Sequence, residues 1–300
     1  MRVVLITLAL LSHLTIAASA EKMPYAEEIQ TWRATREQRL RADNGWLTLV
    51  GRYPLKEGAN TFGTGKKNNV VFPAALEGVG PESLGTLDVD PEKKTVTLFL
   101  ADGVSMVSGS DTFTGQRQMG TATDKRDWIG LNRLSMHVIA RNEKYFLRVA
   151  DNESLLRKYF PGCVWYPPNE AYKVEARFVP YAEEKLLSIV NIIDEVSRQP
   201  SQGYAEFSLN GELHKLDAIK EGDGLFFVFR DSTAGDTTYP PGRFLDVEQQ
   251  PPENELFTLD FNKAYNPPCA FSTYTTCPLP PRQNILKIRI EAGEKYRREK

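Results

Sequence analysis

The stretch that organises the chain runs from residue 229 to residue 294 and reads FRDSTAGDTTYPPGRFLDVEQQPPENELFTLDFNKAYNPPCAFSTYTTCPLPPRQNILKIRIEAGE. Turn-forming Gly, Pro and Asn residues alternate in it with Asp, Arg, Tyr and Asn side chains. Turn residues of these types hold loops in defined conformations. Because packing alone does not require so many polar side chains, this organising stretch is predicted to carry the functional surface.

Four motifs within the organising stretch are specific enough to indicate a family. In chain order they are FRDxTxGxxTYxxGRFL, LDFNxAYNPPCAF, CPLPPxxN and IxAGEK. Together they closely resemble the C-terminal part of the bacterial and fungal family catalogued as domain of unknown function 1684. The resemblance implies no reaction, so the function has to be argued from the residues themselves.

From residue 46 onwards, short apolar runs separated by turns dominate the sequence. Runs such as KTVTLFL and YFLRVA in the first half, and YKVEARFVPY and LFFVFRD in the second, are typical of strands. Asn210-Gly211 suits the two positive backbone angles of a type I′ hairpin turn. We therefore predict a mainly β fold in which an N-terminal helix precedes two β-rich lobes, sandwich-like or barrel-like, at residues 46–168 and 169–300.

The opening of the first lobe, LKEGANTFGTGKKNNVVFP, loosely resembles a forkhead-associated domain, a β-sandwich that binds phosphothreonine. The Arg that this family places after its Gly is absent, since Thr64 follows Gly63, and no Ser-x-x-His follows. The resemblance therefore bears on the fold and does not imply phosphopeptide recognition.

The N-terminus predicts export from the cell. Residues 1–20 read MRVVLITLALLSHLTIAASA, in which Arg2 precedes an apolar run and the small residues Ala18 and Ala20 precede a cleavage point. The apolar run is shorter than the roughly 20 residues that a membrane span needs. We expect a signal peptide cleaved after Ala20, a secreted or periplasmic protein with no membrane span after cleavage, and a helix over residues 21–45.

The composition is that of an ordinary globular protein. Hydrophobic residues make up 41% and charged residues 25% of the 300 residues, enough chain to bury one large core or two modest ones. The formal net charge of −2 provides no field that would attract nucleic acid. We therefore expect no nucleic-acid partner, and a small molecule or a cell-envelope ligand remains. The oligomeric state does not follow from the sequence.

The cysteines and histidines do not predict a metal or cofactor site. His137 lies within an alternating strand and His214 follows a hairpin turn, and neither has a Cys or His neighbour at metal-ligand spacing. The chain also lacks the G-x-S-x-G of a serine hydrolase and the spacing of a phosphate-binding loop. Cys269 and Cys277 share one short loop and are expected to form a disulfide in an oxidising compartment, which leaves Cys163 as a buried free thiol.

The candidate ligand-binding residues all lie in the organising stretch: Asp231, Arg243, Asp260, Asn262, Tyr265, Asn266 and Asn284. Arg243 follows the stiff turn Pro240-Pro241-Gly242, and its guanidinium offers a planar fork for a carboxylate. We expect Asp260 to be that carboxylate, with Asp231 as the second choice. Asp260 and Asn262 are expected to alternate on one strand and so to face the same side.

Three functions are open at this point. The first is a secreted or periplasmic binding protein whose pocket is lined by Arg243, Asp260, Asn262, Tyr265 and Asn266. The second is a hydrolase that uses Asp231 and Asp260 at the same site. The third is a structural or interaction protein in which these residues only hold loops together. An open cleft around Arg243 and Asp260 would favour the first two hypotheses, and a sealed pair would favour the third.

Overall fold

The protein is mainly β, with one long helix at its N-terminus, as predicted. The computed structural model describes residues 23–122, 126–141 and 143–297. The signal peptide expected at residues 1–20 lies outside the described residues. Short 3-10 helices connect the strands at Trp46–Thr48, Ala74–Leu76, Glu170–Tyr172, Phe261–Lys263, Pro268–Ala270 and Arg282–Asn284.

Helix α1 spans Tyr25–Arg41. Acidic residues in its first turn and basic residues in its last turn complement the helix dipole. The helix ends before Asn44, whose φ of 58° is left-handed and which is followed by Gly45. Its buried side is formed by Ile29, Arg33 and Leu40.

The first lobe consists of two antiparallel sheets and one short parallel pairing. Its strands are β1 Leu49–Leu55, β2 Gly58–Gly63, β3 Val70–Val71, β4 Gly85–Asp90, β5 Thr95–Leu100, β6 Met106–Ser108, β7 Asp111–Phe113, β8 Gln116–Met119, β9 Ile129–Leu131, β10 Leu134–Arg141 and β11 Lys144–Asp151. One sheet has the order β1-β11-β10-β9-β6-β7 and the other β3-β2-β4-β5-β8. Buried residues of both sheets, among them Leu87 and Val96 of one and Val138 and Leu147 of the other, form a single hydrophobic core.

The second lobe follows the short helix α2, Leu155–Lys158. Its strands are β12 Val164–Trp165, β13 Lys173–Val190, β14 Val196–Leu209, β15 Glu212–Asp217, β16 Ile219–Glu221, β17 Gly224–Phe229, β18 Arg243–Val247, β19 Leu256–Asp260 and β20 Glu294–Lys295. They form a four-stranded sheet β15-β14-β13-β19, a three-stranded sheet β16-β17-β18 and the pair β12-β20. The expected Asn210-Gly211 turn is present between β14 and β15, with φ of 55° and 81°.

Aromatic side chains fill the core of the second lobe. Phe178, Phe207, Phe227, Phe229 and Phe261 are each at most 2% exposed. Phe261 contacts both Phe207 and Phe229, so the organising stretch packs against the four-stranded and the three-stranded sheet at once. This packing fixes the loops from residue 229 to 294 against the rest of the lobe.

Candidate functional site

Arg243 and Asp231 form a sealed ion pair in the core of the second lobe. Arg243 begins β18 directly after Gly242, whose φ of 123° is in the region that favours glycine. Its side chain is 1% exposed, and one terminal nitrogen lies 3.1 Å from Asp231 Oδ1. The guanidinium also donates to the carbonyl oxygens of Ile290, at 2.9 Å, and Ala292.

The prediction that Asp260 is the partner of Arg243 is therefore wrong. The second choice, Asp231, is the partner observed. Strand β17 pairs with β18, which places Phe229 opposite Arg243 and Asp231 two residues further on. Asp260 ends β19, which pairs with β13 in another sheet. Asp231 also accepts from Thr233 and from the Ile290 N–H at 2.8 Å, so the pair joins loops within the core.

Asn284 also has a structural role in this core. Its amide accepts from the Asp217 N–H at 2.7 Å and donates to the carbonyl oxygens of Asp217 and Val228 at 2.9 and 3.0 Å. Its exposure is 1%. Asn284 therefore links β15 to β17 through their backbones and presents no group to a ligand.

Asp260 and Asn262 hold the start of helix α1. Asp260 does not alternate with Asn262 on a strand as expected, because Asp260 caps the 3-10 helix Phe261–Lys263 and Asn262 lies within that helix. Tyr25 donates to Asp260 Oδ1 at 2.9 Å, and Asn262 donates to the Tyr25 hydroxyl at 2.7 Å and to the Asn169 carbonyl at 2.8 Å. Burial, together with the nearby Asp260 carboxylate, raises the pKa of Tyr25 well above its usual value.

Asn266 holds the middle of helix α1 through Glu294. The Glu294 carboxylate, 1% exposed, accepts from Asn266 N and Nδ2, both at 3.0 Å, and from Arg36 Nε at 3.0 Å. Arg36 also donates to the Asn266 carbonyl at 2.8 Å and lies over the Tyr265 ring, 4.3 Å from its centroid. The polar residues of the family motifs thus attach the N-terminal helix to the second lobe.

The disulfide between Cys269 and Cys277 is confirmed, and Cys163 is a free thiol. Cys163 is half-buried, and its N–H donates to Glu37 Oε1 at 2.9 Å. Burial, reinforced by the Glu294 carboxylate, raises the pKa of the Cys163 thiol. The thiol is therefore poorly suited to act as a nucleophile, because the thiolate is the reactive form.

An open cleft lies between helix α1 and the outer side of β18. It consists of two adjoining cavities of about 660 and 700 Å³ that share six wall residues: Arg36, Arg39, Asp246, Val247, Glu248 and Tyr265. The first cavity extends to Trp46, Arg126 and Glu221, and the second to Trp32 and Asp260. Of the seven candidate residues, Tyr265 and Asp260 lie in the walls of these cavities.

A tyrosine–carboxylate pair lies where the two cavities meet. The Tyr265 hydroxyl donates to Asp246 Oδ2 at 2.8 Å. Asp246 is exposed on the open side of the cleft. Partial desolvation by the cleft walls still raises its pKa, against the opposing effects of Tyr265, Arg36 and Arg39. Burial also raises the pKa of Glu221, and the Asp246 charge adds to that effect. Two carboxylates with raised pKa values therefore line one cavity.

Sequence reasoning missed Asp246, Glu221 and Arg39 as site residues. A signal for Asp246 was present, since it is the only acidic residue in the strand RFLDV and is followed by an apolar Val247. Glu221 and Arg39 had no such signal, because they join the site only through the packing of α1 beside β16 and β18.

Neither a metal centre nor a membrane-spanning helix is found in the part of the chain that the structure describes. Within residues 23–122, 126–141 and 143–297, His, Cys, Asp and Glu side chains form no group of three that could hold a metal ion. None of the helices in the same ranges combines the length and the apolar character that a bilayer crossing requires.

Comparison with known proteins identifies a family. Residues 158–295 match the family described as protein of unknown function (DUF1684). No curated protein matches the chain. Among solved structures, the solution NMR structure of an uncharacterized protein of Haloarcula marismortui is 33% identical over 46% of this chain and 78% of that chain, with a TM-score of 0.40. The chain therefore belongs to the DUF1684 family of proteins of unknown function.

Proposed function

We propose that the protein is a secreted or periplasmic binding protein that holds a small polar molecule in the cleft between α1 and β18. The observation that supports this best is the Tyr265–Asp246 pair at the junction of two adjoining cavities. A cleft of about 660 to 700 Å³ per cavity falls in the range that small-molecule sites occupy.

The walls of the cleft indicate the chemistry of the ligand. Asp246, Glu221 and Glu248 supply carboxylate acceptors, so the ligand should carry hydroxyl or amino donors. Trp32 and Tyr265 supply flat apolar surface on which a ring could lie. A wall with this many charged groups does not suit a lipid chain, because charged groups would lose their hydration against hydrocarbon without gaining partners.

The same residues give the test of this proposal. A panel of monosaccharides and amino acids, compounds rich in hydroxyl or amino donors, is scanned by thermal unfolding against the wild type, Asp246→Asn and the control Asp236→Asn. Asp236 is an exposed carboxylate that pairs with Arg289 at the surface. We expect at least one compound class to raise Tm in the wild type and the control but not in Asp246→Asn. A panel with no effect on the wild type, or an effect that persists in Asp246→Asn, contradicts the proposal.

Carboxylate-based hydrolysis is the second candidate, but at different residues from those first considered. Asp231 is held in the sealed pair with Arg243 and is not available for catalysis. The raised pKa values of Asp246 and Glu221 favour these two residues instead, because a raised pKa keeps a carboxyl group protonated closer to neutral pH, where it can act as a general acid. Chromogenic p-nitrophenyl glycosides and esters test this candidate. Turnover that Asp246→Asn abolishes would support it, and no turnover of either substrate class would contradict it.

A further inference from the structure

Three basic side chains form a row across the outer face of the six-stranded sheet. Arg52 of β1 lies opposite Arg148 of β11, and Arg148 lies opposite His137 of β10. Side chains at directly paired positions point to the same face of a sheet. The alternate residues, such as Leu147, point to the other face and form the core of the first lobe. The row therefore lies on the side away from that core.

Two tryptophans and a fourth basic residue surround this row. Arg126 lies over the Trp46 ring at 4.7 Å from its centroid, and Arg148 lies over the same ring at 5.7 Å. Trp128 packs on His137, with ring centroids 4.0 Å apart. Trp46 and Arg126 also line the first cavity of the cleft, so the row lies next to an opening.

Three nitrogens at the centre of the row have no hydrogen-bond partner among the described residues. Arg148 is 5% exposed and His137 is 1% exposed. Arg148 Nε and both ring nitrogens of His137 are enclosed and have no hydrogen-bond partner there. The outer end is better provided, since Arg52 is within 3.5 Å of the Thr275 carbonyl oxygen and feels the charge of Glu195. An enclosed guanidinium without an anionic partner is unfavourable in a folded protein.

The electrostatics of the row agree with this geometry. Burial, together with the charges of Arg126, Arg141 and Arg52, lowers the pKa of Arg148 to about 9. Burial and the charges of Arg148 and Arg126 lower the pKa of His137 to about 3. At neutral pH, Arg148 therefore remains a cation whose Nε has no hydrogen-bond partner among the described residues, and His137 is neutral.

We infer that the row of Arg52, Arg148 and His137, together with Arg126, is a binding site for a multiply charged oxyanion such as phosphate. A guanidinium presents paired N–H donors that match two oxygens of a phosphate or carboxylate group. Arg148 and Arg126 both lie over the Trp46 ring, and neutral His137 can donate one further hydrogen bond. The site goes beyond the proposed function, because it uses none of the carboxylates of the cleft.

Inorganic phosphate is the probe, with citrate as a carboxylate counterpart at equal ionic strength. For the wild type we expect Tm to rise by about 2–4 °C once phosphate exceeds its Kd several-fold. Arg148→Met should raise Tm in the absence of phosphate, because it removes an enclosed guanidinium whose Nε has no partner among the described residues, and should abolish the rise with phosphate. Arg198→Met is the matched control, since Arg198 is exposed on β14 in the other lobe. It should leave the response unchanged.

Each outcome separates the site from its alternatives. If Arg148 only supports the Trp46 ring, Arg148→Met should lower Tm and phosphate should have no effect on the wild type, which overturns the inference. Arg126→Met, a change at the border of the cleft, tests the same loss if Arg148→Met does not fold. A larger response to citrate than to phosphate assigns a carboxylate ligand, and a response to neither overturns the inference.

Two further variants distinguish this site from other sources of negative charge. Asp124 precedes Arg126 by two residues in the sequence and lies outside the described residues. If the wild type is insensitive to phosphate and Asp124→Asn becomes sensitive, a carboxylate of the chain itself fills the site and the inference is wrong. Asp246→Asn should keep the phosphate response. Failure of the cleft proposal therefore remains distinguishable from failure of this one.

Discussion

Replacement of Arg243 by Met tests whether the organising stretch is held together by its sealed ion pair. The substitution removes the pair with Asp231 at 3.1 Å and leaves the carbonyl oxygens of Ile290 and Ala292 without their donor. Breaking a buried pair by removing one partner costs about 3–5 kcal/mol. Asp231 keeps donors from Thr233 and from the Ile290 N–H, which limits the loss, and a Met side chain fills part of the space. We expect a decrease of about 4 kcal/mol in the free energy of unfolding.

Urea unfolding at pH 7 measures this decrease, with Arg289→Met as the control. Arg289 pairs with Asp236 and Glu291 at the surface of the same stretch, so its loss should hardly move the midpoint. The double variant Arg243→Met/Asp231→Asn should lose less than the sum of the two single variants, because the two groups interact directly. A loss below about 1 kcal/mol for Arg243→Met, or strict additivity in the double variant, would refute the reasoning.

Three further predictions concern pH, thiols and processing. The pKa of His137 is lowered to about 3, so the ring is neutral in the folded protein and its contribution to the free energy of unfolding is present above pH 6.5. That free energy should fall by about 2–3 kcal/mol between pH 6.5 and pH 4.5, because the unfolded chain takes up the proton and the folded protein does not. Urea unfolding at a series of pH values should show a flatter pH profile for His137→Gln. Reduction of the Cys269–Cys277 bond should lower the free energy of unfolding by about 2–3 kcal/mol, measured by unfolding of the reduced form. Cys163 should react slowly with iodoacetamide at pH 8 in the folded protein, which mass spectrometry will show. The mature chain should begin at Glu21, which an intact mass of exported protein will show.

Local patterns predicted the fold class because they depend on neighbouring residues only. Alternating and apolar runs indicated strands, and the Asn210-Gly211 turn formed where its backbone preferences required. The partner of Arg243 depends instead on which strands become neighbours. Asp231 and Asp260 both lie at strand ends, but only β17 pairs with β18, and no local pattern distinguishes the two acids. The same reason explains why the cleft, which α1 forms with β18, was not predicted.

Tyr265 belongs both to the attachment of α1 and to the wall of the proposed binding cleft. Its backbone pairs with Phe244 of β18 at 2.8 and 2.9 Å, which fixes its hydroxyl beside Asp246. Arg36 covers the same ring at 4.3 Å and is itself held by Glu294.

The wall of the cleft is therefore ordered before any ligand arrives, because the contacts that attach α1 also hold Tyr265. A ligand that meets an ordered wall loses less conformational entropy on binding. Loss of Arg36 should consequently weaken both stability and the proposed binding. Asp246 contacts α1 only through the charges of Arg36 and Arg39, so loss of its carboxylate should weaken binding more than stability.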